Sequence, residues 1–185
     1  MPVPPFTVAV GNRVFLRSPN RGDRRELLEL VRASERLHRQ WTPSPLSPET
    51  FDAWLARSRR ENAGSYLVCV KESRAIAGVF NLSEIVRGQF QCAYTGYYAH
   101  QAHAGNGYMR EGLELLMRHA FRTLGLHRLE ANIQPDNAPS IALVRGAGFR
   151  MEGFSPRYLK INGRWRDHER WAITVEDWRA QTAAR

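Results

Sequence analysis

Between Gly96 and Tyr108 the chain reads Gly-Tyr-Tyr-Ala-His-Gln-Ala-His-Ala-Gly-Asn-Gly-Tyr. A segment with strand character feeds a short loop bearing Gly105 and Gly107, and a long amphipathic segment follows. A helix there would begin with unpaired N–H groups and about half a positive charge. The two glycines allow close backbone approach and positive φ. The chemistry that fits is capture of a phosphate or pyrophosphate. The spacing is not that of a P-loop, because no Gly-Lys-Ser/Thr follows. It is not the G-x-G-x-x-G dinucleotide fingerprint either, because position 110 is Arg. A tight strand-to-helix turn without a ligand would use the same residues.

The elements that must position this loop can be read from periodicity. Arg13–Arg17 alternates as a strand, and Asp23 can cap or charge the start of a helix carrying Leu27, Leu28, Leu30 and Val31. Thr42–Pro48 is too rich in Pro for a helix. Phe51, Trp54 and Leu55 then fall at i, i+3, i+4. Tyr66–Val70, Ile76–Val86 and Gln89–Ala99 read as an antiparallel meander. Met109 through Leu124 follows a 3.6 period and stops at Gly125. Leu129, Ala131 and Ile133 alternate as another strand, and Asn137 opens a short helix ending near Gly146 and Gly148. Arg150–Ile161 and Trp165–Val175 read as strands joined at Asn162-Gly163, a hairpin signal.

The 185 residues suit one domain, 1–185, with a core at about 12–178. A composition of 43% hydrophobic and 24% charged residues excludes disorder, and two cysteines exclude a disulfide scaffold. Cys69 and Cys92 read as buried strand positions in a reducing cytosol. No stretch of about 18 apolar residues is present, and the N-terminus does not read as a secretory signal. A cytoplasmic protein without a membrane partner is expected. No metal is expected, because six His and two Cys show no ligand spacing. The net charge of +9 points to an anionic partner without choosing among RNA, the ribosome, an acidic membrane surface and a phosphate-bearing cofactor.

Gly105-Asn106-Gly107, Asn137-Ala138-Pro139-Ser140-Ile141 and Gly146-Ala147-Gly148-Phe149 together resemble the GNAT superfamily of acetyl-CoA-dependent N-acetyltransferases over about residues 12–178. Asn81-Leu82-Ser83, Val86-Arg87-Gly88, Glu152-Gly153, Arg157-Tyr158-Leu159 and Trp165-Arg166-Asp167-His168 resemble its ribosomal-protein alanine N-acetyltransferase branch. The resemblance implies a mixed α+β fold, a mostly antiparallel central sheet of about seven strands flanked by four helices. It implies acetyl-CoA as co-substrate. Tyr97, Tyr98 and Ala99 match the strand that pairs with the pantetheine arm. His103, Ala104, Gly105, Asn106, Gly107 and Tyr108 match the pyrophosphate loop. Asn137 matches a residue near the pantetheine, and Ser140 and Arg145 lie on the next helix. The frequent tyrosine general acid falls at Val144, and the Gln or Arg preferred three residues before the first glycine falls at Ala102.

Direct transfer requires a neutral amine. At pH 7 a protein α-amine with pKa about 7.7–8.0 costs about 1 kcal/mol to deprotonate, against about 4.6 for lysine. A site without an obvious strong base therefore suits an N-terminus. Glu84 is the first candidate base, and Asp167 with His168 the second. Ser140 is a candidate for orienting water or protonating the leaving thiolate. Each has a structural reading too: a surface carboxylate, a hairpin bridge, a helix cap. His38 could line an acceptor groove, Tyr158 could bind substrate, and His127 reads as structural. The five tryptophans read as core or groove walls. The expected activity is acetylation of a protein N-terminus, a ribosomal one by the resemblance, with ribosome association and a monomer or homodimer. The alternatives are a small amine acceptor (aminoglycoside, polyamine or amino acid) and a ribosome- or RNA-binding module on the same fold.

Overall fold

The computed structural model describes residues 5–41 and 44–183. Its strands are β1 (Thr7–Val10), β2 (Val14–Arg17), β3 (Gly64–Val70), β4 (Ile76–Val86), β5 (Cys92–Ala99), β6 (Arg128–Ile133), β7 (Arg150–Ile161) and β8 (Arg164–Thr174). Its helices are α1 (Arg24–Ala33), α2 (Glu35–His38), α3 (Pro48–Arg57), α4 (Tyr108–Arg122), α5 (Ala138–Gly146) and α6 (Val175–Ala183). The strands form one sheet in the order β1-β2-β3-β4-β5-β6-β8-β7, antiparallel except between β5 and β6. This is the expected mixed α/β class, with eight strands and six helices among the described residues rather than seven and four.

Alternation along β3 explains the two-sided core. Leu67 and Cys69 face α1 and α3, where they pack with Leu27, Val31, Phe51 and Trp54. Tyr66, Val68 and Val70 face α4 with Leu113, Leu116 and Ala120. A strand covered on both faces reads as a continuous apolar run. Gly112 lets α4 lie close on the sheet, since a Cβ there would stand 2.9 Å from Val68 and 3.1 Å from Phe80. Cys69 and Cys92 are buried and free.

Two elements differ from expectation at the chain's ends. β1 adds a four-residue edge strand before β2. After Thr174 the chain turns helical, so Val175 opens α6 rather than ending a strand. The hydroxyl of Thr174 accepts from Asp177 N–H at 3.3 Å, and Trp178 packs on Phe121 with ring centroids 5.5 Å apart. Asp23 precedes α1 but makes no side-chain cap there. Its carboxylate instead takes both guanidinium nitrogens of Arg17, at 2.6 and 2.8 Å, and Asn20 N–H at 2.7 Å. A charged fork outcompetes a single cap bond. Of the Pro-rich loop, Thr42 and Pro43 lie outside the described residues. Ser47 caps α3 at the loop's far end.

Candidate functional site

β5 and β6 pair for only three residues, Cys92–Tyr94 against Arg128–Glu130, and then diverge. The gap beyond is a cavity of about 680 Å³, within the range of small-molecule sites. Thr95–Ala99 forms one wall and Asn132–Gln134 the other. His100 N–H donates to Ala77 on β4 at 2.9 Å. Backbone polar groups alternate sides along an antiparallel strand, so those of Tyr97 and Ala99 turn toward the gap. The Ala99 carbonyl is held there by the ring of His38, which burial keeps below its ordinary pKa.

The Gly105–Gly107 loop closes one end of the cavity. Gly107 sits in the left-handed region at φ 75° and starts α4 without a side-chain cap, leaving its first-turn N–H groups to other partners. A Cβ at Gly107 would also approach Arg13 to 3.1 Å. Arg13 donates to the Asn106 carbonyl at 3.0 Å and lies over the Tyr108 ring, 5.3 Å from its centroid. Glu111 fastens this corner by accepting from Arg13 N–H at 2.8 Å and Val14 N–H at 3.3 Å. Burial alone would raise its pKa, but those donors hold the carboxyl below its ordinary value.

Most of the residues singled out from sequence meet at this cavity. Tyr97, Tyr98, Ala99, His103, Ala104, Gly105, Gly107, Tyr108, Asn137 and Ser140 all line it. Asn137 caps α5 by accepting from Ser140 N–H at 3.3 Å, and the Ser140 carbonyl accepts from Tyr97 OH at 3.2 Å. Burial raises the pKa values of Tyr97 and Tyr98. Asn106 contributes its carbonyl to Arg13. Arg145 is not brought to the cavity and lies over the Trp171 ring at 5.4 Å. Glu84 is exposed, in the left-handed region at φ 49°, at the bulge where β4 loses register with β5. Its neighbour Ser83 reaches the cavity instead. Asn81 binds the Trp54 indole at 2.9 Å and the Ser65 hydroxyl at 2.7 Å, a structural task. Val144 is wholly buried in the core.

The far end is built by the β7–β8 hairpin. Leu159, Ile161 and His168 line the cavity. His168 is 2% exposed and its Nδ1 lies 2.9 Å from the Arg166 carbonyl. A proton on Nδ1 donating to that carbonyl leaves Nε2 as an acceptor. Burial lowers the pKa of His168, against the opposing pull of the Arg166 carbonyl and Asp167. Asp167 itself accepts from Arg157 N–H at 2.7 Å. The Tyr158 ring stands 6.3 Å from the His168 ring. Trp41 lines the cavity, while Trp165 is 60% exposed, unlike the buried Trp54, Trp171 and Trp178. His127 lies 3.1 Å from Glu176 at the surface. Gln134 and Arg110 also line the cavity and were given no site role from sequence, while Leu159 was quoted only within a resemblance motif. The end of β6 places Gln134, the first turn of α4 places Arg110, and the pairing of β7 with β8 places Leu159.

Among the described residues no cluster of His, Cys, Asp and Glu could hold a metal, and no helix is long and apolar enough to cross a membrane.

A model of the acetyltransferase (GNAT) domain matches residues 13–150. Over 102 residues the chain is 41% identical to a probable N-acetyltransferase, YjcK, of Bacillus subtilis, covering 55% of this chain and 56% of that protein. Over 107 residues it is 42% identical to the ribosomal protein uS5 alanine N-acetyltransferase of Escherichia coli, covering 58% of this chain and 55% of that one. The chain thus spans about half the length of these curated relatives. The structure of Mycobacterium smegmatis RimJ in complex with CoA-disulfide aligns with a TM-score of 0.82 at 26% identity, over 92% of this chain and 88% of that one.

Proposed function

The chain belongs to the GNAT acetyltransferase family, and from that premise we propose that it transfers the acetyl group of acetyl-CoA to the N-terminal α-amine of a protein. The observation that carries this reading is one cavity between two kinds of group. An uncapped helix start stands at one end and a buried neutral imidazole at the other. The relative that acts on a ribosomal-protein alanine supports a ribosomal acceptor.

The fit to acetyl-CoA rests on chain geometry. Gly107 leaves the α4 N–H groups open to a pyrophosphate, and Arg13 stands beside it. Tyr97 and Ala99 offer their backbone edge to an amide-bearing arm. When bound, acetyl-CoA supplies an acyl group activated as a thioester. An N–H of Tyr97 or Ala99 aimed at the carbonyl oxygen would stabilise the developing oxyanion, by about 2.7–4 kcal/mol for one such donor. His168 Nε2 accepts the amine proton. Ser140 orients water or returns a proton to the thiolate.

The wall chemistry favours an α-amine over a polyamine. Among the described residues lining the cavity none is Asp or Glu. A polycation would leave its remaining charges without partners, a costly desolvation. An α-amine that binds neutral carries no such penalty.

The test is a panel of N-terminal peptides, spermidine and an aminoglycoside incubated with acetyl-CoA, with thiol release followed. Turnover of α-amine peptides in preference to the others is expected. Turnover confined to spermidine or the aminoglycoside overturns the reading.

A further inference from the structure

The cavity opens along the β7–β8 ribbon. Leu159 lies opposite Arg166 and Ile161 opposite Arg164. Cross-strand partners share a face, so both arginines stand on the face whose Leu159 and Ile161 bound the cavity. Both are exposed, and neither forms an ion pair among the described residues. At the tip of the ribbon stands Arg39, also exposed, its carbonyl bound by Asn162 at 2.6 Å. The rim is therefore cationic around a wall that holds no carboxylate.

The spacing along β8 adds a register. Arg166 is two residues from His168, and Arg164 four. An extended peptide rises about 3.3 Å per residue and returns side chains to one face every second residue. With its amine at His168, the third residue falls at Arg166 and the fifth at Arg164. We propose that the preferred acceptor is an acidic N-terminal segment lying extended along the ribbon, its third and fifth side chains carboxylates paired with Arg166 and Arg164. This rests on the α-amine reading above and names the substrate class for it.

The experiment compares three eight-residue peptides of otherwise identical sequence. They carry Glu, Gln or Lys at positions three and five. At low salt kcat/KM for the Glu peptide should exceed that for the Gln peptide about fivefold, the scale of exposed ion pairs. The preference should fade near 1 M salt, where the Debye length is about 3 Å. The Arg164→Glu/Arg166→Glu variant should invert the order to favour Lys. Arg166→Gln alone should lower the ratio partway and guards against misfolding of the double variant. Equal kcat/KM for Glu and Gln peptides overturns the proposal while leaving the α-amine reading intact. Failure of all three peptides, with turnover of spermidine, sinks that reading instead. A labelled single-stranded RNA is the remaining arm. If it binds and the double variant abolishes binding while the peptide ratio is flat, the ribbon serves RNA and the proposal falls.

Discussion

The side-chain amide of Asn162 donates to the carbonyl of Arg39 across 2.6 Å, tying the tip of the β7–β8 ribbon to the residue after α2. Gln134, at the end of β6, donates to the neighbouring Gln40 carbonyl at 3.2 Å. His38 holds the Ala99 carbonyl on β5. A strap of three residues is thus fastened to both walls of the cavity and to the ribbon beyond it. Asn162→Asp keeps a residue that tolerates the left-handed turn at φ 48° but removes the amide donor. The loss of one hydrogen bond, with a carboxylate facing a carbonyl, should raise KM for acceptor about three- to tenfold. KM for acetyl-CoA should hardly move, and steady-state kinetics on both substrates checks the split.

His168 should set the acidic limb of the pH profile. Its pKa is lowered, so the imidazole is neutral and competent as a base at pH 7. The profile of kcat/KM should rise through an inflection below the ordinary histidine value of about 6.5. His168→Gln should lose that inflection and lower kcat by about 100-fold, the lower end for a general base. Glu84→Gln, measured beside it, should leave the inflection in place. An inflection that survives in His168→Gln would assign it to another group.

Gly107→Val should weaken acetyl-CoA binding at least tenfold by titration calorimetry. A β-branched residue at φ 75° is strained by about 1–2 kcal/mol, and its Cβ would crowd Arg13. The first turn of α4 must then shift, and with it the N–H groups proposed to hold the pyrophosphate. Unchanged affinity would remove this loop from the cofactor site.

The fold should be acid-labile through His100. This side chain is fully buried, and burial pushes its pKa down to about 4, with His38 and His103 repelling and the Leu30 carbonyl opposing. The unfolded chain therefore binds the proton more readily than the folded one. Stability is fully present above about pH 6.5 and is lost as pH falls toward 4. The loss amounts to about 3 kcal/mol at about 1.36 kcal/mol per pH unit. Urea midpoints between pH 7.5 and 4.5 measure it. His100→Phe should flatten that dependence if the ring space accepts the substitution, and His100→Asn gives a second comparison.

The loop and α4 were legible in sequence because a two-residue alternation gives way to a 3.6 period at a pair of glycines. The hairpin at Asn162-Gly163 was legible for a similar local reason. α6 carried a local signal, Thr174 three residues before Asp177, hidden by the apolar run that precedes it. β1 was not legible, since four residues at a sheet edge, of which only Ala9 is buried, carry little periodicity. Glu84 went astray for a different reason. Alternation along β4 is interrupted by a bulge, and alternation is the only rule sequence offers for assigning a face. The cavity's far wall depends on the register of β7 against β8, which shifts between Ser155 and Leu159. His168 was visible as a candidate, but its burial beside the cavity was not. Charge alone could not show that Arg164 and Arg166 share a face with Ile161 and Leu159.

The three-residue pairing of β5 with β6 has a mechanical side. On one flank β1 to β5 form a continuous antiparallel ladder, and on the other β6, β8 and β7 form a second. Between them the sheet is stitched by a seam of three residue pairs, with α4 crossing as the covalent link. Each half is held by a continuous antiparallel ladder, and between the halves the sheet has only those three residue pairs. A pull that separates the halves would load those few bonds in sequence, like a zipper opened from the gap. Small opening motions of the molecule would then change the width of the cavity before they disturb either ladder.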